Sequence, residues 1–105
     1  MISPFQCRVY QLVAQIPRGR VMTYRGIASA IRCASCQAVG QALRKNPFAP
    51  HVPCHRVIKS DLTSGGFLGK RESAAIQRKL ELLEAEGVDF KDGVLSNPDW
   101  VVTLG

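Results

Sequence analysis

The sequence predicts a mostly α-helical, small single domain of residues 1–105, with a helix-turn-helix, winged-helix-like core and minor β-structure. A chain of 105 residues, 46% of them hydrophobic, can close one modest core and is too short for two. Apolar residues recur at helical spacing in several segments. Two of these segments are short and joined by a tight turn, which is typical of a helix-turn-helix, with a plain helical hairpin as the alternative.

The first helix is predicted to begin after Ser3, a suitable N-cap, with Pro4 at the first helical position, where a backbone N–H would have no partner. Pro17 and Gly19 are expected to end it. The apolar face of this helix comprises Phe5, Val9, Leu12, Val13 and Ile16.

A β-prone segment, residues 21–23, leads into the two helices of the turn motif. Thr23 and Ser35 are the expected N-caps. The second of these helices should end at Asn46, because Pro47 disfavours a helical conformation in the residue before it. The inward residues are expected to be Ile27, Ala28 and Ile31 in one helix and Ala38, Val39, Ala42 and Leu43 in the other.

The second half of the chain predicts a short buried strand at 57–58 and a flexible, glycine-containing loop over 60–69. A longer helix should run from about Ser73 to a stop at Gly87. Asp92-Gly93 is typical of a tight hairpin turn. The residues expected to face the core here are Ile76, Leu80, Leu83 and Trp100.

Positive charge is concentrated in the first half of the chain. The formal net charge is +6, yet residues 1–51 contain no Asp or Glu, and every carboxylate side chain lies from Asp61 onward. Such a surface attracts polyanions through its summed potential, so DNA is an expected partner of the helix-turn-helix. A solvated basic surface is the alternative.

Two absences in the sequence bear on localisation. No apolar run approaches the roughly 20 residues of a membrane-spanning helix. The N-terminal residues lack the basic and apolar regions of a signal peptide. We therefore expect no membrane association and a cytoplasmic protein, nucleoid-associated when it is bound to DNA.

Cys54 is the candidate nucleophile because two cationic residue types, His55 and Arg56, follow it directly. Nearby positive charge favours the thiolate, which is the nucleophilic form of cysteine. Pro53 stiffens the approach to Cys54, and the apolar neighbours suggest partial burial. A buried structural cysteine is the alternative.

The pentapeptide PCHRV resembles the active-site motif of the O6-alkylguanine-DNA alkyltransferases, also called methylated-DNA–protein-cysteine methyltransferases. Further segments similar to that family are IPRGRVMTYRGIA, AVGQALRKNP, the SGGF loop and LLEAEG. The resemblance covers nearly the whole chain and corresponds to the family's C-terminal domain. The tail EGVDFKDGVLSNPDW resembles the alkyltransferase-like proteins, small relatives that bind alkylated DNA and carry Trp or Ala in place of the cysteine.

This resemblance implies a single-turnover DNA repair reaction without cofactor or metal. Cys54 would accept the alkyl group of O6-alkylguanine, His55 would take the thiol proton through a water, and Glu86 would orient His55. Asn46 would brace the active-site turn. Tyr24 would donate a hydrogen bond to guanine N3 and crowd the 3′ phosphate, which assists flipping of the base.

The resemblance also implies that the helix-turn-helix of a monomer binds the minor groove of double-stranded DNA and that the damaged base is flipped into a pocket. The small residues Ala38, Gly40 and Ala42 would let the second helix lie close to the sugars. The backbone carbonyls of Cys54 and Val57 would read the exocyclic amine of guanine. The implied DNA-binding residues are Tyr24, Gln37, Ala38, Gly40, Arg44, Lys45 and Arg56, and the implied base pocket consists of Leu43, Val57, Phe67 and Gly69.

Two positions depart from the family pattern. Gln37 stands where the family has an arginine that fills the gap left by the flipped base, so flipping should be supported less well unless another residue, such as Arg32, substitutes. Phe67 replaces the pocket tyrosine of many relatives, which keeps stacking and removes a hydroxyl.

Cys33 and Cys36 form a C-x-x-C pair at the predicted turn. Free thiols are the simplest expectation. A disulfide is the second possibility, and a zinc site completed by Cys7 and His51 is the third. We expect the protein to hold no metal.

Two functions compete with the enzyme. A lesion-binding protein would recognise alkylated guanine and signal to other repair pathways without processing the base. A basic DNA-binding regulator would use Cys54 only as a structural residue, and would not distinguish damaged from undamaged DNA.

Overall fold

The structure is a computed structural model that describes residues 2–48, 51–65 and 73–103. The predicted mostly α fold with a helix-turn-helix and minor β-structure is confirmed. None of the helices in these ranges is long and apolar enough to cross a membrane. The elements in chain order are helix α1 (Pro4–Val13), strand β1 (Met22–Thr23), helices α2 (Tyr24–Ala30) and α3 (Cys36–Arg44), a 3-10 turn (Cys54–Arg56), strand β2 (Val57–Ile58), helix α4 (Ser73–Ala85), strands β3 (Phe90–Lys91) and β4 (Val94–Leu95), and a second 3-10 turn (Pro98–Trp100).

Helix α1 begins with a capping box. The Ser3 hydroxyl accepts a hydrogen bond from the backbone N–H of Gln6, and the Gln6 side chain accepts one from the backbone N–H of Ser3. The helix ends at Val13, whereas the predicted apolar face extends three residues further, to Ile16. The chain after Val13 is tightened by i→i+3 hydrogen bonds and leaves the α-helical path. Ile16 lies beyond the helix and is nevertheless buried.

Helices α2 and α3 are capped by Thr23 and Ser35, as predicted, and pack against each other and against α1. The turn between them is a Schellman motif in which Arg32, with φ of 58°, occupies the left-handed position that usually favours glycine. The backbone N–H of Cys33 closes this motif on the carbonyl of Ala28 at 2.7 Å. A tight helix-turn-helix results.

Strands β1 and β2 pair in parallel, with Thr23 opposite Ile58. This pairing places the start of α2 beside the chain that leaves the Cys54 turn. The hairpin turn predicted at Asp92-Gly93 is confirmed, since both residues have positive φ and join the antiparallel strands β3 and β4.

The buried residues of the described ranges form two clusters. The first lies between α1, α2, α3 and the Cys54 turn. The second lies under the end of α4, the β3–β4 hairpin and the C-terminal segment, where Trp100 packs at its edge as predicted. The first cluster contains Val9, Tyr10, Leu12, Val13, Ile16, Met22, Ile27, Ala28, Val39, Ala42, Leu43, Val52, Cys54 and Val57, and the second contains Val21, Ile58, Leu83, Val88 and Leu95.

Several predicted inward residues are only half-buried, and three of them, Phe5, Ile31 and Trp100, pack at the margins of these clusters. Tyr10, which the periodicity did not select, is buried, and its hydroxyl donates a 2.6 Å hydrogen bond to the carbonyl of Ala42. The half-buried members of the predicted set are Phe5, Ile31, Ala38, Ile76, Leu80 and Trp100.

Candidate active site

The Cys54 turn is shaped by Pro53. With φ of −81° and ψ of 72°, Pro53 is the centre of an inverse γ-turn that is closed by a 2.8 Å hydrogen bond from Cys54 N–H to the carbonyl of Val52. The chain then makes one 3-10 turn and enters β2. The nucleophile candidate is therefore held between a proline-fixed bend and a paired strand.

The side chain of Cys54 lies in the first core cluster, and the residue is 7% exposed. Burial raises the pKa of its thiol, and the Asn46 amide and the Lys79 charge partly oppose that rise. Because the pKa is raised on balance, the resting form at neutral pH is the thiol. Nucleophilic attack consequently requires a group that accepts the thiol proton.

Asn46 joins the end of α3 to the segment that leads into Cys54. Its Nδ2 donates to the carbonyl of Val52 at 3.0 Å, and its Oδ1 accepts from the N–H of Phe48 at 2.9 Å. Both polar ends of the amide are engaged by backbone groups. This is the geometry that the predicted bracing role requires.

His55, Arg56 and Glu86 form one hydrogen-bonded network. Nε2 of His55 lies 2.9 Å from Oε2 of Glu86. Arg56 binds both oxygens of the same carboxylate, with Nε donating to Oε1 and Nη2 to Oε2, each at 2.8 Å. Fork geometry of this kind is the strongest pairing between arginine and a carboxylate.

The protonation states of this network follow from its geometry. Burial would raise the pKa of Glu86, but hydrogen bonds from Arg56 and His55 outweigh it and bring the pKa to about 2. An ionised carboxylate only accepts, so Nε2 of His55 must carry a hydrogen. Burial lowers the pKa of His55 more than Glu86 raises it, which keeps the imidazole neutral. Nδ1 is therefore left as the basic nitrogen.

Glu86 is held at the C-cap of α4 by a Schellman motif. Gly87, with φ of +84°, lets the N–H of Val88 return to the carbonyl of Leu83 at 2.9 Å. Gly87 is thus the helix stop that the sequence predicts. The Glu86 side chain, one residue before the stop, is carried toward the Cys54 turn and is 7% exposed.

The turn that follows α1 braces the same network, a role that sequence reasoning missed. The Arg18 guanidinium donates to the carbonyl of Ala85 at 2.9 Å, and Arg56 Nη1 donates to the carbonyl of Ile16 at 2.8 Å. A Cβ on Gly19 would lie 3.2 Å from the backbone oxygen of Glu86. These contacts involve backbone groups far apart in the chain, so no local pattern reports them.

Lys79 is a further residue that the sequence reading missed. It is 0% exposed, and its Nζ donates to the carbonyl of Val57 at 2.6 Å and to the carbonyl of Ser64 at 2.5 Å. Burial lowers its pKa to about 8, and the charge of Cys54 opposes that fall. One signal was available: Lys79 falls between Ile76 and Leu83 on the apolar stripe of α4.

This geometry agrees with comparisons to known proteins. Residues 4–88 match the family model described as the DNA-binding domain of 6-O-methylguanine DNA methyltransferase. The chain belongs to this family. It is 41% identical over 89 residues to a methylated-DNA–protein-cysteine methyltransferase of Methanothermobacter thermautotrophicus, which covers 85% of this chain and 47% of that protein.

A methylated-DNA–protein-cysteine methyltransferase of Saccharolobus solfataricus is 45% identical over 89 residues, covering 85% of this chain and 54% of its own length. The chain spans about half the length of these curated alkyltransferases. Its resemblance to the family, stated from the motifs, is confirmed.

Two solved structures of alkyltransferase relatives show the same fold. Atl1 of S. pombe, in complex with damaged DNA containing O6-carboxymethylguanine, is 33% identical with a TM-score of 0.83, and the match covers 99% of each chain. The Mycobacterium tuberculosis OGT in complex with DNA is 39% identical with a TM-score of 0.74, covering 83% of this chain and 51% of that one. The match to Atl1 therefore includes the C-terminal hairpin.

The implied DNA-binding positions of the alkyltransferase family fall mostly on the accessible side of α3. Gln37, Arg44 and Lys45 are exposed, and Ala38 and Gly40 are half-buried. A Cβ on Gly40 would meet nothing within 4 Å. The DNA-contacting roles of these residues stay predictions.

One expectation about this surface is corrected. Ala42 is 2% exposed and packs inside the first cluster, so its small size serves helix packing and not close approach to sugars. Arg56, which is expected to contact DNA, has a side chain that is 16% exposed and donates to Glu86 and Ile16. These bonds use three of the five N–H donors of the guanidinium, and the contact of Arg56 with DNA stays a prediction.

The implied base pocket of the alkyltransferases is only partly described. Phe67 and Gly69 lie outside the described residues. Leu43 is 5% exposed within the first cluster. Val57 is 0% exposed and its side chain belongs to the first cluster, so its place in the base pocket, which stays a prediction, would depend on its backbone carbonyl.

The backbone groups expected to read guanine are partly engaged within the protein. The Val57 carbonyl accepts from Lys79, and the Cys54 carbonyl accepts from the N–H of Val57. A carbonyl has two lone pairs, so one accepted hydrogen bond does not exclude a second. Tyr24 is half-buried, and its ring lies 3.5 Å from where a Cβ on Gly65 would stand.

The remaining cysteines are free thiols. Cys33 Sγ accepts from the N–H of Ser35 at 3.4 Å, which ties it to the N-cap of α3. Within residues 2–48, 51–65 and 73–103, no group of three or more His, Cys, Asp and Glu residues is arranged to hold a metal ion.

Proposed function

We propose that the protein repairs DNA by irreversible transfer of the alkyl group from O6-alkylguanine in double-stranded DNA to Cys54. The observation that carries this proposal is the hydrogen bond between Nε2 of His55 and Glu86. This bond leaves a neutral imidazole whose basic nitrogen is Nδ1, next to a buried cysteine. Membership of the methyltransferase family supports it. Residues 1–105 would act as one domain and as a monomer.

The first step of the proposed reaction is a proton transfer. Nδ1 of His55, acting through one water, takes the thiol proton of Cys54. The Glu86 carboxylate stabilises the imidazolium that forms, because its negative charge lies 2.9 Å from Nε2. Glu86 and Arg56 together are neutral, so the network gains a full positive charge only during the reaction.

The second step is a single displacement at the alkyl carbon. A bond forms between Cys54 Sγ and the carbon while the bond from carbon to O6 breaks, and the electron pair passes to the guanine. The tyrosyl hydroxyl of Tyr24 donates a hydrogen bond to N3 of the leaving base. The imidazolium of His55 returns its proton through water to the guanine anion, so the products are the thioether and neutral guanine. The thioether is stable, so each molecule reacts once.

DNA binding would use the accessible side of α3 in the minor groove. The part of the chain before Asp61, which contains α2 and α3, has no Asp or Glu. Its positive electrostatic potential therefore attracts phosphates. The target base must leave the stack to reach the buried Cys54. Contacts between α3 residues and the gap that the flipped base leaves in the duplex offset part of the free-energy cost of flipping.

The deciding experiment incubates the full chain with a duplex oligonucleotide containing one O6-methylguanine. Mass spectrometry should show a stoichiometric gain of one methyl group on the Cys54 peptide. Cys54→Ala should show no adduct, and an undamaged duplex should give none with the wild type. No adduct on the wild type, or an equal adduct on the variant, would exclude the transferase.

A lesion-binding protein is the second candidate, and the match to Atl1 over 99% of both chains favours it. Such a protein would bind the O6-methylguanine duplex tightly and leave the base unchanged for hours. The presence of Cys54 favours the transferase. Equal affinity for damaged and undamaged duplexes would instead indicate a DNA-binding regulator in which Cys54 is structural.

A further inference from the structure

Tyr10 links α1 to the last turn of α3. The residue is 5% exposed, and its hydroxyl donates a 2.6 Å hydrogen bond to the carbonyl of Ala42, 32 positions later in the chain. Carbonyls in the last turn of a helix lack a full set of intrahelical partners. The carbonyl of Ala42 also accepts a 3.2 Å bond from the N–H of Lys45. The phenol therefore fixes the end of α3, which Asn46 follows.

The ring of Tyr10 makes a second contact, with the ring of Phe48. The two ring centroids lie 5.7 Å apart and the ring planes meet at 79°, which is an edge-to-face arrangement that aromatic pairs prefer. Phe48 follows Asn46 by two residues, whereas Ala42 precedes it by four. One side chain on α1 therefore holds the chain on both sides of Asn46.

Asn46 passes these restraints on to the Cys54 turn. Its Oδ1 accepts from the N–H of Phe48 at 2.9 Å, and its Nδ2 donates to the carbonyl of Val52 at 3.0 Å. That carbonyl also accepts the 2.8 Å bond from the N–H of Cys54, and the N–H of Val52 returns to the carbonyl of Phe48 at 3.0 Å. Direct contacts therefore connect the Tyr10 ring with the Cys54 backbone.

We propose that Tyr10 is a positioning residue, which fixes the chain on both sides of Asn46 so that the Asn46 amide holds the Cys54 turn in its reactive geometry. This inference rests on the proposed role of Cys54 as the nucleophile. Misplacing a reacting group by about 1 Å can slow a reaction about 100-fold. Because Tyr10 is buried, its effect should fall on the rate of alkyl transfer and not on the affinity for DNA.

A purely structural role of Tyr10 makes a different prediction. Tyr10 belongs to the first core cluster, and removing its hydroxyl leaves the Ala42 carbonyl with one donor fewer. The free energy of unfolding should therefore fall in either case. The readouts that separate the two roles are local exchange of the amides near Cys54, the limiting rate of transfer, and the dependence of that rate on Asn46.

The first measurement uses the full chain without DNA. Hydrogen exchange of the Phe48 and Cys54 amides is followed by NMR in Tyr10→Phe, which removes the hydroxyl and keeps the ring. The matched control is Ser3→Ala, which removes the N-cap of the same helix and lowers stability to a comparable extent. Tyr10→Phe should lower both protection factors about tenfold below those of the control. Equal protection in the two variants would overturn the proposal.

The second measurement is single-turnover methyl transfer from the O6-methylguanine duplex at saturating protein. In Tyr10→Phe, the limiting rate should fall about tenfold, and the affinity for an undamaged duplex should stay within about twofold of the wild type. Ser3→Ala should retain the wild-type values of both. In an Asn46→Ala background, Tyr10→Phe should slow transfer by less than about twofold. A full tenfold effect in that background would show that Tyr10 does not act through Asn46.

Phe48→Leu decides the matter if Tyr10→Phe does not fold. Phe48 is 42% exposed, so the protein should tolerate this change, which removes the ring contact from the side of the loop. The protection factor of the Cys54 amide should fall below that of Ser3→Ala, and an unchanged value contradicts the proposal. A wild type that transfers no methyl group would refute the proposed function, whereas the exchange measurements would still decide whether Tyr10 positions the Cys54 turn.

Discussion

Nη1 of Arg56 lies 2.8 Å from the carbonyl oxygen of Ile16, so the turn that follows α1 is bonded to the active-site turn. The same guanidinium holds the carboxylate of Glu86. Arg56 is thereby the junction of three segments that are distant in sequence. The position of the Glu86 carboxylate, and through it of His55, depends on all three.

Loss of the charge on Glu86 should impair both activity and stability. In Glu86→Gln, Arg56 keeps a partly buried charge without its counter-ion, and His55 loses the anion that stabilises its imidazolium. We expect the single-turnover transfer rate to fall about 100-fold and the free energy of unfolding to fall by about 3 kcal/mol. Quenched-flow transfer and urea unfolding measure the two effects.

The control for that variant is Glu84→Gln, which removes the same charge from an exposed position on α4. It should change the free energy of unfolding by less than about 0.5 kcal/mol. A wild-type transfer rate in folded Glu86→Gln would show that the network does not assist proton transfer.

Acid should destabilise the protein in two stages. The pKa of His55 is lowered from 6.5 by burial, so the unfolded chain binds more protons and stability falls as pH drops below that value. The pKa of Glu86 is about 2 against 4.5 when unfolded, so its contribution is present above pH 4.5 and is lost as pH falls toward 2. Urea unfolding at intervals from pH 7 to pH 2 should show both losses, and Glu86→Gln should lack the second.

Gly19→Ala should destabilise the protein. Gly19 has φ of +85°, and a Cβ there would lie 3.2 Å from the carbonyl oxygen of Glu86. A non-glycine residue in the left-handed region costs about 1–2 kcal/mol. The displaced Glu86 backbone should also slow transfer. Thermal unfolding at unchanged or higher Tm would show that the turn adapts without strain.

Gly40→Ala should have effects of opposite sign on stability and on DNA binding. The added Cβ meets nothing within 4 Å, and alanine in a helix interior is more favourable than glycine by about 0.5–1 kcal/mol. On the accessible side of α3, the methyl group should keep the helix away from the DNA sugars and weaken binding. Fluorescence anisotropy at fixed salt measures this, and the gain in stability excludes misfolding as the cause. Unchanged affinity would place the DNA contact elsewhere.

Gln37→Arg should raise affinity for the damaged duplex more than for the undamaged one, because the family resemblance implies that an arginine at this position would fill the gap left by a flipped base. Gln41→Arg, one helical turn further along α3, is the control that adds charge without reaching the same point. Both variants should release about one more counterion on binding, which makes the salt dependence of the DNA affinity steeper. An equal gain from the two variants for both duplexes would assign the effect to charge alone.

Local features of the structure were predictable because their causes are local. The caps Ser3, Thr23 and Ser35, the stop at Gly87 and the Asp92-Gly93 hairpin depend on residues within a few positions of each other. Their side-chain and backbone preferences therefore act before the chain is packed.

The contacts that the sequence did not predict have long-range partners. Lys79 was not singled out, since the carbonyls of Val57 and Ser64 become its partners only when β2 and α4 meet. The bond from Arg56 to the carbonyl of Ile16, 40 positions earlier, likewise leaves no trace in the sequence. Tertiary contacts to backbone groups carry no residue-type signal.

The C-terminal hairpin has a consequence for where the folding unit of this chain extends relative to the family match. The family match stops at residue 88, yet Leu95 belongs to the second core cluster with Ile58 and Leu83. The N–H of Leu95 also bonds to the carbonyl of Leu62, in the loop that leads to Ser64. A fragment cut at the family boundary would leave Ile58, next to the active-site turn, facing water. The family match therefore ends at an earlier residue than the segment that folds cooperatively with the core.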